Sequence, residues 1–210
     1  MKWYPEAIVR AGPAWKQMAG RNPNKGAVLH SAEGSHGGLI FELQRADRGA
    51  AWHFSILKTG LVEQHYPIDA VIGHSGDWGK DQDGANGNGE LIGIEHEGVA
   101  GEDLTREQLM ASIALVRWLA QQGRWEPSRE APRTLWEHRE LSDAGTLCPS
   151  GRIRWEDFAV QVPQPVPVML RWLYGAIPGM LDRTRWVRTE TPSAGYRDDV
   201  YEVIVRRKVK

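Results

Sequence analysis

The chain has 210 residues, a formal net charge of −1 and a single cysteine. That length is enough for one well-filled core of roughly 150 residues and a small extra segment. One cysteine excludes an intramolecular disulfide framework, and the near-neutral charge does not suggest a nucleic-acid-binding protein. No stretch approaches the roughly 18 apolar residues of a membrane span, and the N-terminus lacks the apolar run of a signal peptide. We therefore expect a protein made in the cytoplasm, with no export signal and no membrane insertion.

The first 50 residues predict one strand and one helix. Residues 1–25 are polar and contain several prolines, which predicts an arm that wraps the surface. A short apolar run over 26–30 predicts the first strand, and this strand ends on His30. Apolar residues at helical spacing predict a helix over 39–46.

A hairpin and a long loop follow. The aromatic run 51–57 and the segment 61–65 predict two strands joined by a tight turn at 59–60. Residues 68–72 form a further short apolar run. Residues 73–89 hold six glycines together with Asp and Asn, and a long glycine-rich loop in a compact domain often shapes a site.

The most regular patterns come next. Residues 91–97, LIGIEHE, predict a strand with two different faces. Residues 105–122 predict a helix, because apolar residues recur at helical spacing, Thr105 and Gln108 can form a capping box, and Gly123 can close the C-terminus. Strands that alternate with helices place the main body in the α/β class.

The C-terminal part of the chain changes in composition. A last short helix is predicted over 153–160, which ends the main domain, 1–160. Residues 161–167 carry three prolines and predict an extended linker. Residues 168–210 predict a small accessory segment. Over 161–210 nine Lys/Arg stand against five Asp/Glu, and both an anionic partner surface and a solvated basic strand fit that charge.

Three residues far apart in the chain form a candidate metal site. His138 and Cys148 lie ten residues apart, and His30 ends the first strand. Histidine and thiolate are good zinc ligands, and three protein ligands with an open fourth position are typical of catalytic zinc. Such an ion lowers the pKa of its bound water and polarises a carbonyl oxygen. Glu95, on the strand 91–97, is the candidate base for that water.

Simpler interpretations stay open for these residues. Seven histidines in the chain produce many chance pairs, and a lone cysteine is often a small buried residue. Glu95 by itself also fits a solvated carboxylate at a strand edge. Four histidines have no identifiable partner and are interpreted as surface or packing residues: His36, His53, His65 and His96.

Five short motifs occur in an order that resembles a known family. They are VLHSAEG, WHFSILKTGLVEQ, VIGHSG, LIGIEHEG and HRELS…TLCPSG, spread over about residues 28–158. Together they resemble the zinc N-acetylmuramoyl-L-alanine amidases, which include phage endolysins, bacterial cell-wall amidases and peptidoglycan recognition proteins. The resemblance implies a mixed central β-sheet flanked by helices, with zinc in a surface groove. It also implies hydrolysis of the amide that joins muramic acid to L-alanine of the peptidoglycan stem.

Position by position, the resemblance implies a ligand set and a catalytic carboxylate. His30 matches the first zinc histidine, His138 the second, and Cys148 the third ligand. Glu95 matches the catalytic glutamate of many bacterial and phage members. His74 matches a histidine of the groove and is a candidate for substrate contact.

Two positions depart from the family pattern. Trp52 stands where several relatives carry a catalytic tyrosine, and its indole is a far weaker acid, so that role is absent or passes to Glu95. Trp52 is kept as a substrate-binding candidate. Thr146 stands where other relatives have a lysine that stabilises the oxyanion, and its hydroxyl can still donate a hydrogen bond. Trp78 is a further candidate for packing against sugar or peptide.

The predicted function is therefore Zn²⁺-dependent peptidoglycan hydrolysis. Without a signal peptide, a phage or prophage lysin released through a membrane lesion fits better than a secreted enzyme. The basic C-terminal segment would then hold the enzyme to anionic wall polymers. Two alternatives stay open: a peptidoglycan-binding module that keeps zinc without cutting, which Trp52 and Thr146 permit, and a cytoplasmic amidase that recycles wall fragments.

Overall fold

A mixed six-stranded β-sheet organises the residues that the computed structural model describes, 3–79 and 84–161. These residues belong to one unit, Met1–Val162. The strands are β1 (Ile8–Val9), β2 (Gln17–Met18), β3 (Ala27–Ser31), β4 (Phe54–Ile56), β5 (Val62–Gln64), β6 (Val71–Ile72), β7 (Ile92–His96) and β8 (Leu135–Glu137). The helices are α1 (His36–Gln44), α2 (Gly87–Glu90), α3 (Arg106–Gly123) and α4 (Trp155–Gln161), with 3-10 turns at Ala14–Lys16 and His138–Glu140.

The large sheet has the strand order β1-β5-β4-β7-β3-β8. Strands β4, β7, β3 and β8 run parallel to one another. Strand β5 pairs antiparallel with β4, and β1 pairs parallel with β5 at the edge. Strands β2 and β6 form a separate antiparallel pair. The predicted α/β class with a mixed central sheet is confirmed, and the β4–β5 pair is the hairpin predicted around the turn at 59–60.

The two faces of the large sheet differ in chemistry. One face carries apolar side chains such as Leu29 and Ile94, which join Val116 of α3 in the main core. Because side chains alternate along a strand, His30 and Glu95 point to the opposite face. Parallel strands place ligand sites at their C-terminal ends. His30 and Glu95 therefore lie on the face away from α3, whereas His96 at the end of β7 faces α3, with its Nε2 2.9 Å from Ser112 Oγ.

The long helix α3 begins and ends for identifiable reasons. Thr105 Oγ1 accepts from the Gln108 N–H at 3.1 Å, and the Gln108 side chain accepts from the Thr105 N–H at 3.2 Å, which confirms the predicted capping box. The predicted C-terminal cap is wrong by one residue, because Gly123 is still helical and Arg124 takes the left-handed conformation with φ 58°. Gly123 is needed for a different reason, since a Cβ there would collide with the carbonyl oxygen of Asn24.

Three predicted boundaries differ from the structure. Residues 1–25 are more than a surface arm, because they supply β1 and β2 and bury Lys16, whose ammonium donates to two backbone carbonyls. Helix α1 begins at His36, because the hydroxyl of Ser35 accepts a hydrogen bond at its N-terminus. Gln161, which the sequence assigns to the linker, is the last residue of α4.

Part of the predicted domain plan lies outside the described residues, namely the rest of the linker, 162–167, and the accessory segment, 168–210. The predicted glycine-rich loop is described except for 80–83, and it contains the start of α2. Within 3–79 and 84–161, no helix has the length and apolar character needed to cross a membrane.

Candidate active site

Three potential metal ligands meet at the C-terminal ends of two neighbouring parallel strands. His30 is the fourth residue of β3, and His138 directly follows β8. Their ring centres are 4.6 Å apart, and Cys148 Sγ lies 3.8 Å from His30 Nδ1. One ligand atom from each residue lies within 4.8 Å of the others. Because zinc bonds are about 2.0–2.3 Å long, this spacing fits three ligands around one ion.

Hydrogen bonds behind the two histidines determine which ring nitrogen faces the cluster. His138 Nε2 lies 3.0 Å from the carbonyl oxygen of Ser75, and because a carbonyl only accepts, that nitrogen carries the hydrogen. His74 Nε2 lies 3.3 Å from the carbonyl oxygen of Leu91 and carries a hydrogen for the same reason. His74 Nδ1 therefore accepts from His30 Nε2 at 3.2 Å. Both ligand histidines present an unprotonated Nδ1, which is the form that binds a metal.

Burial controls the protonation of the three ligands. Desolvation is the largest cause that lowers the pKa of His30 and of His138, so both rings are neutral. Burial also raises the pKa of the Cys148 thiol to about 12, and the charge of Glu95 adds to this effect. The Ser31 N–H donates to Cys148 Sγ at 3.2 Å. A divalent cation would stabilise the buried thiolate, so two neutral imidazoles and this sulfur fit zinc.

Glu95 lies beside the ligand cluster. It is paired with His30 across β7 and β3, and its Oε1 lies 3.8 Å from His30 Nδ1. The side chain is 14% exposed, and Oε2 has no hydrogen-bond partner among the described residues. Burial is the main cause that raises the pKa of Glu95 to about 8, and the charge of Glu33 adds to it. A buried carboxylate with an unpaired oxygen and a raised pKa is a feature of functional sites.

A family model described as N-acetylmuramoyl-L-alanine amidase matches residues 20–151. The chain belongs to the N-acetylmuramoyl-L-alanine amidase family. The family resemblance of the five sequence motifs is thereby confirmed. The matched residues include every predicted ligand and the candidate base of this amidase.

Several solved structures share the fold. The amidase LysC from Clostridium intestinale URNW is 21% identical, with 75% of this chain and 97% of LysC covered and a TM-score of 0.55. PlyL is 17% identical, with 76% of this chain and 98% of PlyL covered and a TM-score of 0.60. An AmpD derivative is 19% identical, with 76% of this chain and 96% of the AmpD chain covered and a TM-score of 0.56. At these identities the similarity establishes the fold alone. No curated protein matches this chain.

Thr146 and His74 lie close to the candidate ligands of the amidase but contact them in different ways. Thr146 lies in the loop that leads to Cys148, and its Oγ1 accepts from the Cys148 N–H at 3.1 Å. His74 is only 8% exposed and lies behind His30. The structure therefore brings His74 to the back of the ligand cluster, where it faces a ligand and has little surface for a substrate.

The two tryptophans predicted to contact substrate differ in accessibility. Trp52 is 6% exposed, and its Nε1 donates to Ser55 Oγ at 2.8 Å inside the protein. Its ring does not offer the open face that packing against a substrate requires. Trp78 is 50% exposed on the glycine-rich loop, so its ring is accessible to a sugar or a peptide.

The four histidines interpreted as surface or packing residues do not join the ligand cluster. His53, His65 and His96 are at most 1% exposed. His36 is partly exposed, and its Nε2 lies 3.1 Å from Glu63 Oε2. Three of the four are therefore interior residues, and the fourth, at the start of α1, contacts a carboxylate of β5.

Arg152 has a structural role that the sequence patterns do not predict, and it is 2% exposed. Its guanidinium donates to Ser31 Oγ at 3.0 Å and to the carbonyl oxygens of His96 at 3.1 Å and Glu97 at 2.9 Å. Arg152 thus ties the segment after Cys148 to the ends of β3 and β7. No sequence signal marks this role, because arginine is usually an exposed residue.

Proposed function

We propose that this amidase uses a zinc ion held by His30, His138 and Cys148 to hydrolyse peptidoglycan. The bond is the amide between the lactyl group of N-acetylmuramic acid and L-alanine of the stem peptide. The observation that carries the proposal is the Glu95 carboxylate, which has an unpaired oxygen and lies 3.8 Å from His30 Nδ1. Three ligands would leave one coordination position open, and the Glu95 carboxylate close to this cluster would serve as the base.

The chemistry divides between the bound metal and Glu95. A zinc ion at this site supplies a Lewis acid that polarises the scissile carbonyl and lowers the pKa of a water molecule. Glu95 would accept a proton from the attacking water as the water oxygen bonds to the carbonyl carbon, and a cation held by the three ligands would favour the ionised carboxylate that this step needs. Glu95 then donates the proton to the alanine nitrogen as the carbon–nitrogen bond breaks. The products are a lactyl carboxylic acid and a peptide with a free amino terminus.

Thr146 and Trp78 are proposed to act on the substrate directly. The Thr146 hydroxyl lies next to Cys148 in the loop and would donate a hydrogen bond to the oxyanion. The exposed ring of Trp78 would pack against sugar or peptide. Trp52 and His74 are buried, so we propose that they influence substrate binding only through the residues they contact.

We further propose that the enzyme is the lysin of a phage or prophage. This proposal is supported by the shared fold with a 20% identical protein described as an endolysine N-acetylmuramoyl-L-alanine amidase from Clostridium intestinale URNW. A cytoplasmic amidase that recycles wall fragments is the alternative. Rates on intact wall and on soluble muropeptides separate the two, because a lysin cleaves the intact wall and a recycling enzyme prefers the soluble fragments.

The direct test is incubation of the purified protein with isolated peptidoglycan, with and without a zinc chelator. New N-terminal alanine without new reducing sugar, lost on chelation and restored by zinc, is the expected result. Wall binding without either product would show that the chain is a zinc-containing recognition module and that Glu95 has no catalytic role.

A further inference from the structure

We infer that Asn88 is a positioning residue for both zinc-ligating histidines. It holds the consecutive residues His74 and Ser75, and each of these contacts one of the two ligands. The inference rests on the proposed zinc site, and it concerns how His30 and His138 are oriented before any substrate binds.

One side-chain oxygen fixes the His74–Ser75 segment. Asn88 Oδ1 accepts from the backbone N–H of His74 at 2.7 Å, from the N–H of Ser75 at 2.8 Å and from the Ser75 hydroxyl at 3.1 Å. Asn88 and Ser75 are both fully buried. Because water has no access to these donors, the three bonds depend on the Asn88 amide alone.

The His74–Ser75 segment contacts both zinc-ligating histidines. The His74 ring accepts from His30 Nε2 at 3.2 Å, and the Ser75 carbonyl accepts from His138 Nε2 at 3.0 Å. His30 lies on β3 and His138 in the 3-10 turn after β8, yet two adjacent residues determine which of their nitrogens carries hydrogen. Displacement of this segment would therefore disturb both ligands at once.

Two glycines make this close approach possible. A Cβ on Gly93 of β7 would lie 2.7 Å from Cγ of His74, and a Cβ on Gly87 of α2 would overlap the Ser75 hydroxyl. His74 can therefore pack against the strand, and Ser75 against the short helix, only because these positions lack a side chain.

The Asn88 amide is oriented to favour the hydrogen bonds to His74 and Ser75 over those of its own nitrogen. Its Nδ2 is buried and has no hydrogen-bond partner among the described residues, which is unfavourable for a buried donor. The side chain is turned so that the oxygen serves three donors while the nitrogen serves none. An asparagine supplies this acceptor without placing a negative charge beside the ligands, as an aspartate would.

The test measures Zn²⁺ affinity of the full chain by competition with a chromophoric chelator. We expect Asn88→Ala to weaken Zn²⁺ binding by about 10–100-fold, the range seen when a group behind a metal ligand is removed. Asn86→Ala is the matched control. Asn86 lies in the same segment and caps α2 through the Gly89 N–H at 2.7 Å, so its loss should change the affinity by less than about threefold. Equal affinity in wild type and Asn88→Ala would overturn the inference.

A second measurement needs no variant. Nitrogen-15 NMR of the metal-free wild-type protein reports the tautomer of each histidine, and we expect the Nε2–H form at both His30 and His138. An Nδ1–H form at either residue would overturn the inference. Both readouts are independent of peptidoglycan cleavage. A protein that binds Zn²⁺ as expected but cleaves nothing would refute the proposed function and leave the role of Asn88 intact.

Discussion

Two polar side chains of this amidase, Glu95 and His53, are largely or fully removed from water. Glu95 has one oxygen without a partner among the described residues, and His53 is fully buried. Burial disfavours the charged form of each group, so it raises the pKa of the carboxyl and lowers the pKa of the imidazole. The first shift bears on the proposed catalytic role of Glu95, and the second bears on stability.

Replacing Glu95 by Gln should abolish most of the activity without loss of the metal. Glutamine keeps the size of the side chain but cannot accept a proton, so we expect the amidase rate to fall by about 10²–10⁴-fold. Zn²⁺ affinity should stay within a few-fold of wild type. The measurement is release of N-terminal alanine at saturating zinc. Glu97→Gln, two residues further along, is the control, and a Glu95→Gln variant with zinc and the full rate would remove Glu95 from the mechanism.

The burial of His53 predicts that the folded protein loses stability in acid. Its ring accepts from the Gly93 N–H and donates to the Ala70 carbonyl, and burial lowers its pKa to about 4. The unfolded chain has a histidine pKa near 6.5, so between these values the unfolded state binds more protons. Stability from this group is therefore present above pH 6.5 and declines as the pH falls. We expect a loss of roughly 2 kcal/mol by pH 5.

The measurement for His53 is urea unfolding of the metal-free protein at pH 7 and pH 5, compared with His53→Gln. The variant should be less stable at pH 7 and should lose less stability between the two pH values. An identical pH dependence in both proteins would mean that His53 is not the group that titrates.

At the scale of the elements, parallel strand pairing explains why distant residues meet. β3 lies between β7 and β8, so His30 is adjacent to Glu95 on one side and close to the residue that follows β8 on the other. The helix α3 covers the opposite face and anchors these strands, because the buried Gln108 amide donates to carbonyl oxygens at the ends of β4 and β7. The N-terminus of α3 is therefore a point where helix and sheet are joined.

Thr105→Ala tests this junction. It removes the acceptor for the Gln108 N–H and the hydroxyl that donates to the Lys58 carbonyl at 2.7 Å. Loss of such an N-cap costs about 1 kcal/mol of the free energy of unfolding. Chemical denaturation measures it, and Arg106→Ala, an exposed change in the first turn, is the control. A destabilisation no larger than that of Arg106→Ala would show that the capping box contributes little.

At the scale of the whole molecule, the amidase family match spans residues 20–151, and the described residues end at 161. The basic segment 168–210 lies outside the described residues, and its attachment to anionic wall polymers stays a prediction from charge. The total charge is near neutral because the excess of Lys/Arg after residue 160 offsets an acidic main domain, so the two parts of the chain differ in the sign of their charge.

Deleting 168–210 should weaken binding to isolated cell walls more at low salt than at high salt. Salt screens charge attraction, and the Debye length falls from roughly 30 Å at 0.01 M to about 3 Å at 1 M ionic strength. Co-sedimentation with walls over this range measures the effect. A loss of binding that is the same at all salt concentrations would assign the segment a structural role instead.

The sequence alone determined the α/β class, the hairpin, the capping box of α3 and the family, because these depend on periodicity, turn residues and motif order along the chain. It also selected His30, His138 and Cys148, which the structure brings together. The burial of Trp52, the position of His74 behind a ligand, and the parts played by Arg152 and Asn88 were decided only by the tertiary structure. Burial and hydrogen-bond partners depend on segments that are distant in the chain and adjacent in space, and no local pattern records which of them meet.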